Sequence, residues 1–170
     1  GAALSLGGQP KRALQHAKDC VSSAVAARKP YAQMMGYSLQ SFCEFILGSY
    51  RASLESSQAG IEIAEKLSGW RILGYLHGYF AMSAIALGHI QPARSAIKQT
   101  IELGNRFAHS DLQSLGYRLA GDLAVSLGAL QPAVQAYRLS LDHAGQSFMK
   151  PDALSRYGFA LCLNGDIEQG

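Results

Sequence analysis

The side chains with catalytic or metal-binding chemistry are few and scattered along the chain. His109-Ser110-Asp111 holds the residue types of a hydrolytic triad, but triad members are assembled in space rather than from consecutive residues. Ser110-Asp111-Leu112-Gln113 reads better as a capping box, with Ser110 as the N-cap of a helix and Gln113 reaching back to it. His16, His77, His89, His109 and His143 show neither the H-x-x-x-H nor the H-E-x-x-H spacing that places two imidazoles on one zinc ion. Cys20, Cys43 and Cys162 are odd in number, far apart and without a C-x-x-C pair, which argues against a disulfide framework or a zinc site. The run GYLHGYF lacks both the G-x-G-x-x-G order and the preceding strand that phosphate binding needs. Asp111 and Asp122 are too far apart along one helix to pair as acid and base. The expectation is a protein without catalysis, cofactor or metal.

Composition narrows the class further. The 170 residues are 48% hydrophobic, enough for a domain with a real core. Only 16% are charged, against about 25% in an ordinary domain, and the composition is not that of a disordered chain. A net charge of +3, evenly spread, gives no footprint for nucleic acid. No apolar run approaches the ~20 residues that span a bilayer. In GAALSLGGQPKR the basic residues follow the short apolar stretch, the reverse of a signal peptide. Three scattered cysteines and no export signal lead to the expectation of a cytoplasmic protein with no membrane contact.

The chain repeats itself. Leu47-Gly48, Leu87-Gly88 and Leu127-Gly128 recur every 40 residues; Gly8 continues the series backwards and Gly165 follows Gly128 by 37. Five positions after the glycines stand Ala13, Ser53, Ala93 and Ala133. Twelve after stand Cys20, Gly60, Thr100 and Ser140, followed in each case by an aliphatic residue. Sixteen after stand Ala24, Ala64, Gly104 and Ala144, and seven before stand Ser41, Ala81, Gly121 and Gly158. Small residues at fixed offsets are what close helix–helix contact requires, since a larger side chain would hold the backbones apart.

Each repeat carries two segments with apolar residues at helical spacing. The first type covers roughly 31–47, 70–87, 111–127 and 151–163; the second covers roughly 9–27, 51–67, 91–104 and 131–144. Pro92 and Pro132 fall in the first turns of their helices, and Pro10, Pro30 and Pro151 at or just before helix starts. The glycine after each first-type helix permits the left-handed cap that turns the chain into the next. Ser53 and Ser57 weaken one second-type helix. The fold class predicted is all-α, a right-handed superhelical solenoid of antiparallel helix hairpins. One repeat domain covers 1–170, with partial repeats at 1–28 and 151–170 and full ones at about 31–68, 70–107 and 111–146.

Gly121, Gly128 and Ala133, like Ala81, Gly88 and Ala93, match the spacing of the tetratricopeptide repeat, and the whole chain resembles that family. It departs in its 40-residue period, against about 34, and in lacking the motif's Trp near the start of the first helix. The longer period is similar to repeats of MalT-type and LuxR-type transcriptional regulators and of some bacterial cyclases and kinases. The resemblance implies a concave surface lined by first-type helices. By position its groove residues are Ser38, Phe42 and Phe45; Gly78, Met82 and Ile85; Arg118, Asp122 and Val125; and Ser155, Phe159 and Cys162, with Arg118 as a polar group at the rim. Arg118 and Asp122, four apart, also form an expected i,i+4 ion pair. Tyr37, Tyr75, Tyr79 and Tyr117 are expected to wedge between hairpins.

The implied role is a scaffold that binds a protein or peptide, or other domains of the same polypeptide; the alternative is the sensing or regulatory arm of a regulator, signalling ATPase or cyclase. Residues 1–6 read as the tail of a first-type helix and 166–170 as the start of a second-type helix. No polar capping repeat is visible, so a longer array, or self-association through uncapped ends, is expected. A shift of one position in the register would turn the same groove residues inward as packing between repeats.

Overall fold

A computed structural model describes residues 8–147 and 149–165. Over these residues the chain is all helical: α1 (Pro10–Ala26), α2 (Pro30–Ile46), α3 (Tyr50–Lys66), α4 (Trp70–Ala86), α5 (Ile90–Arg106), α6 (Ser110–Ser126), α7 (Leu130–Ala144) and α8 (Lys150–Leu163). The two segments expected at 1–6 and 166–170 lie outside the described residues.

The period has a simple local origin. Each of α1 to α6 is 17 residues long, and three residues join it to the next helix, so a helix with its turn occupies half of one repeat. Every such turn uses a left-handed residue. After α2 the Gly48 N–H bonds the Phe45 carbonyl at 2.9 Å and the Ser49 N–H bonds the Glu44 carbonyl at 2.8 Å, the paired bonds of a Schellman cap. The glycine turns have φ of 77° at Gly48, 73° at Gly88 and 73° at Gly128. The alternate turns place Arg28, Ser68 and Ala108 at φ 52°, 53° and 49°, a region that costs an L-residue about 1–2 kcal/mol. These were not foreseen, because nothing in Arg, Ser or Ala marks a left-handed turn.

One cap is displaced from its expected place. His109, not Ser110, is the N-cap of α6: its backbone is extended, and its Nδ1 accepts the Leu112 N–H at 3.3 Å. Ser110 is the first helical residue, and the Gln113 amide bonds Asn105 Oδ1 at 3.0 Å instead of turning back. The preceding Schellman turn fixes the residue after Ala108 as the cap, so the imidazole takes the role assigned to the hydroxyl.

The chain divides into two compact units, Gly1–Gly88 and His89–Gly170. In the first, α2 packs against α1, α3 and α4, and α3 packs against α4. Met34, Ile61, Ala64, Ile72 and Leu76 form its core, with Leu73 and Phe80 packed against them. Gly60 brings α3 and α4 close, since a Cβ there would stand 2.7 Å from a Leu76 methyl and would have to displace it. In the second, α6 packs against α5, α7 and α8, and α7 against α8. Ala133, Tyr137 and Ala160 are buried together, and the Tyr137 ring leaves no room for a side chain on Gly121. The small-residue columns are thus the contact lines between helices. Cys20 departs from its column and is exposed, whereas Gly60, Thr100 and Ser140 are buried.

Candidate interaction surface

In the first unit the two first-type helices, α2 and α4, lie directly side by side. Phe42 on α2 meets Tyr79 on α4 with ring centroids 5.2 Å apart, and Tyr75, one turn earlier on α4, stacks on Tyr79 at 6.4 Å. Phe45 packs instead on Tyr50 across the α2–α3 turn, at 5.5 Å. Ser38, Phe42, Phe45, Tyr75, Tyr79, Met82 and Ile85 are all half-buried, and Gly78 is buried. These side chains touch one another yet keep part of their surface in solvent. Offset and tilted aromatic pairs of this kind contribute about 0.5–1.5 kcal/mol each beyond the area they bury.

The corresponding positions in the second unit hold ions. Arg118 on α6 is only 6% exposed. Its Nη1 donates to Asp122 Oδ2 at 3.1 Å, as the i,i+4 spacing predicts, and its Nε faces Asp152 on α8 at 3.4 Å. Asp122 also accepts the Tyr137 hydroxyl at 2.7 Å and a bond from Arg156 Nη1, while Arg156 Nε reaches Asp152 at 3.3 Å. Burial lowers the pKa of Arg118, with Asp122 opposing, yet a guanidinium stays charged at any ordinary pH. Burial, then the Asp122 carboxylate, raise the Tyr137 phenol above its usual range.

Arg118 was expected as a rim group open to a ligand; it is instead an interior ion held by two carboxylates. The reason is tertiary. Tyr137, Asp152 and Arg156 arrive from α7 and α8 and close over it, and their spacing to Arg118 carries no periodic signal. Val125 packs against the Ala133–Tyr137–Ala160 core. Phe159 is 57% exposed, and Ser155 and Cys162 are exposed as well. Tyr117, expected to wedge between hairpins, stacks on His143 within its own hairpin, at 5.3 Å with planes 8° apart.

Polar groups in the first unit were also missed as interior groups. Ser53 and Ser57 are fully buried within a 17-residue α3. The Ser53 hydroxyl donates to the Ser41 carbonyl at 2.8 Å and accepts from Ser83 at 2.8 Å; Ser57 donates to the Ser53 carbonyl at 2.7 Å. Glu44 is buried and accepts from Ser56 at 2.7 Å and Gln40 at 3.0 Å. A small hydroxyl fits a close helix contact and brings its own hydrogen bond, which removes the penalty of burying it.

Among the described residues, no three His, Cys, Asp or Glu side chains come together as a metal site, and no helix is long and apolar enough to cross a membrane. Cys20, Cys43 and Cys162 form no disulfide with one another. No protein-family model and no curated protein matches the chain.

Proposed function

We propose that this chain is a protein-interaction scaffold whose first-type helices present an apolar, aromatic face to a peptide or to a partner domain. The observation that carries the reading is the half-buried cluster of Phe42, Tyr75 and Tyr79 on α2 and α4. Rigid aromatic rings that keep one face in solvent bury large area on binding with little loss of side-chain freedom, the property of interface anchors. Ser38, Phe45, Met82 and Ile85 extend that face. In the second unit, taken by itself, Phe159 on α8 is exposed, and Asp122 and Arg118 belong to the interior ion network. The reading assigns no catalysis and no cofactor, and a cytoplasmic setting in keeping with cysteines that form no disulfide with one another.

The test is Phe42→Asp, followed by thermal melting and by crosslinking from a photoreactive residue at Ser38. The scaffold reading expects crosslinks to a partner to disappear with a stability loss of no more than about 1.5 kcal/mol from the lost Phe42–Tyr79 pair. A fall of about 2–5 kcal/mol would assign Phe42 to ordinary packing between repeats and overturn it.

A further inference from the structure

Between α5 and α6, and reaching the first turn of α7, the second unit has an apolar trough of about 490 Å³. Ile97 and Leu123, both nearly fully buried, form its floor, and Ile101 and the 46%-exposed Leu127 form its walls. Ala120 and Ala124 line it with methyl groups only. Its rim carries Arg94, Lys98 and Glu102.

The 40-residue repeat supplies a control within the same molecule. Eight residues before its turn glycine, Ala120 stands where the preceding repeat has Phe80, and Phe80 packs onto the core that contains Ile61 and Leu76. Ile101, lining the trough, is the counterpart of Ile61. The first unit therefore fills with its own phenyl ring the position that the second leaves to alanine. The rim changes in the same step: Arg94 and Lys98 replace Leu54 and Gln58. Lys98 pairs with Glu102 at 3.6 Å, while Arg94 makes no ion pair among the described residues. One repeat has lost an aromatic plug and gained two cations beside the opening.

We infer that this trough is a second docking site, for a peptide segment that supplies bulky apolar side chains to the trough and Asp or Glu to Arg94 and Lys98. The space exceeds one phenyl ring and opens to solvent, which suits apolar anchors from a helix laid against it. Charge complementarity sets the sign of the partner and speeds encounter. The inference rests on the trough alone and is independent of the aromatic face on α2 and α4.

The test selects a random dodecapeptide display library on the whole chain and re-measures each enriched peptide on three variants. Ala120→Phe restores the plug that the neighbouring repeat already accommodates, and an unchanged or raised melting temperature verifies its fold. The expected peptides pair Phe, Leu or Trp with acidic residues, weaken by roughly tenfold or more on Ala120→Phe and weaken with added salt and on Arg94→Glu/Lys98→Glu. They bind Phe42→Asp normally. Enriched peptides that are neutral or basic, that ignore Ala120→Phe, or that lose only to Phe42→Asp would overturn the inference. So would binding of laurate displaced by Ala120→Phe with no peptide behaving likewise, since the trough would then be a lipid site.

Discussion

The two units satisfy the polar groups of their interiors with different chemistry. Helices α1 to α6 share one length, α7 and α8 are shorter at 15 and 14 residues, and both units bring helices together along columns of small residues. In the first unit the interior polar groups are short and neutral for the most part: Ser41, Ser53, Ser57 and Ser83 bond one another or nearby carbonyls, with Glu44 held by Ser56 and Gln40. In the second, a Ser114–Ser140 pair persists, but the principal polar assembly joins Arg118, Asp122, Tyr137, Asp152 and Arg156. Hydroxyl clusters tolerate loss of one member at modest cost. An ion network does not, because the remaining ion stays buried without its counter-charge.

The largest effect that tests this contrast is Asp122→Ala. It strips Arg118, Tyr137 and Arg156 of a shared acceptor and is expected to destabilise the second unit by about 3–5 kcal/mol. Chemical denaturation followed by tyrosine absorbance measures it, and a loss under about 1 kcal/mol would show the network to be dispensable. Ser53→Ala is the matching change in the first unit. It removes one donor and the acceptor used by Ser83, with an expected cost of about 1–2 kcal/mol, read by fluorescence of Trp70, the single tryptophan. Equal costs for the two substitutions would erase the contrast.

The units should also differ in their response to pH. Burial lowers the His77 pKa below its model-peptide value of 6.5. The unfolded chain takes up that proton first, so the first unit loses stability as pH falls below about 6.5; His77→Gln removes this component. Tyr137 is shifted the opposite way from an ordinary value of 10.0. Its contribution is intact below pH 10 and is lost as the pH rises beyond it, because the unfolded chain releases the proton first. Trp70 fluorescence across the acid limb and tyrosinate absorbance across the alkaline limb separate the two, and Tyr137→Phe should flatten the latter.

The smallest expected effect concerns the turns, where the units are most alike. Replacing Arg28, Ser68 or Ala108 by glycine relieves the left-handed strain against the greater freedom of an unfolded glycine. The net gain is about 0.5 kcal/mol per site, a rise in melting temperature of about 1–2 °C. Gly48→Ala should lower it. A rise of the same size from Gly→Ala would mean that the left-handed turn does not govern the period.

Legibility in the sequence followed the range of the interaction. The helices of both types were readable because apolar spacing, proline at the first turn and glycine after the last are local signals. Phe42 and Met82 were readable as positions on first-type helices, but not their degree of burial, which depends on the neighbouring helix. The N-cap of α6 was misplaced by one residue because His109 is an uncommon cap and Ser110 a common one; the turn before it decided the matter. Ala120 was unremarkable until its repeat partner Phe80 was seen packed on a core.

By itself the sequence determined an all-helical repeat of hairpins, its period and the columns along which helices meet, since each follows from turn chemistry and side-chain size within a few residues. Only the tertiary structure decided which polar groups lie inside. Asp122 is joined to Tyr137 from 15 residues away and to Arg156 from 34, and Ser53 to Ser83 from 30. It also decided where a trough opens. Burial and charge pairing are properties of what packs opposite a side chain, and repeat spacing specifies the place of a residue without specifying its neighbour.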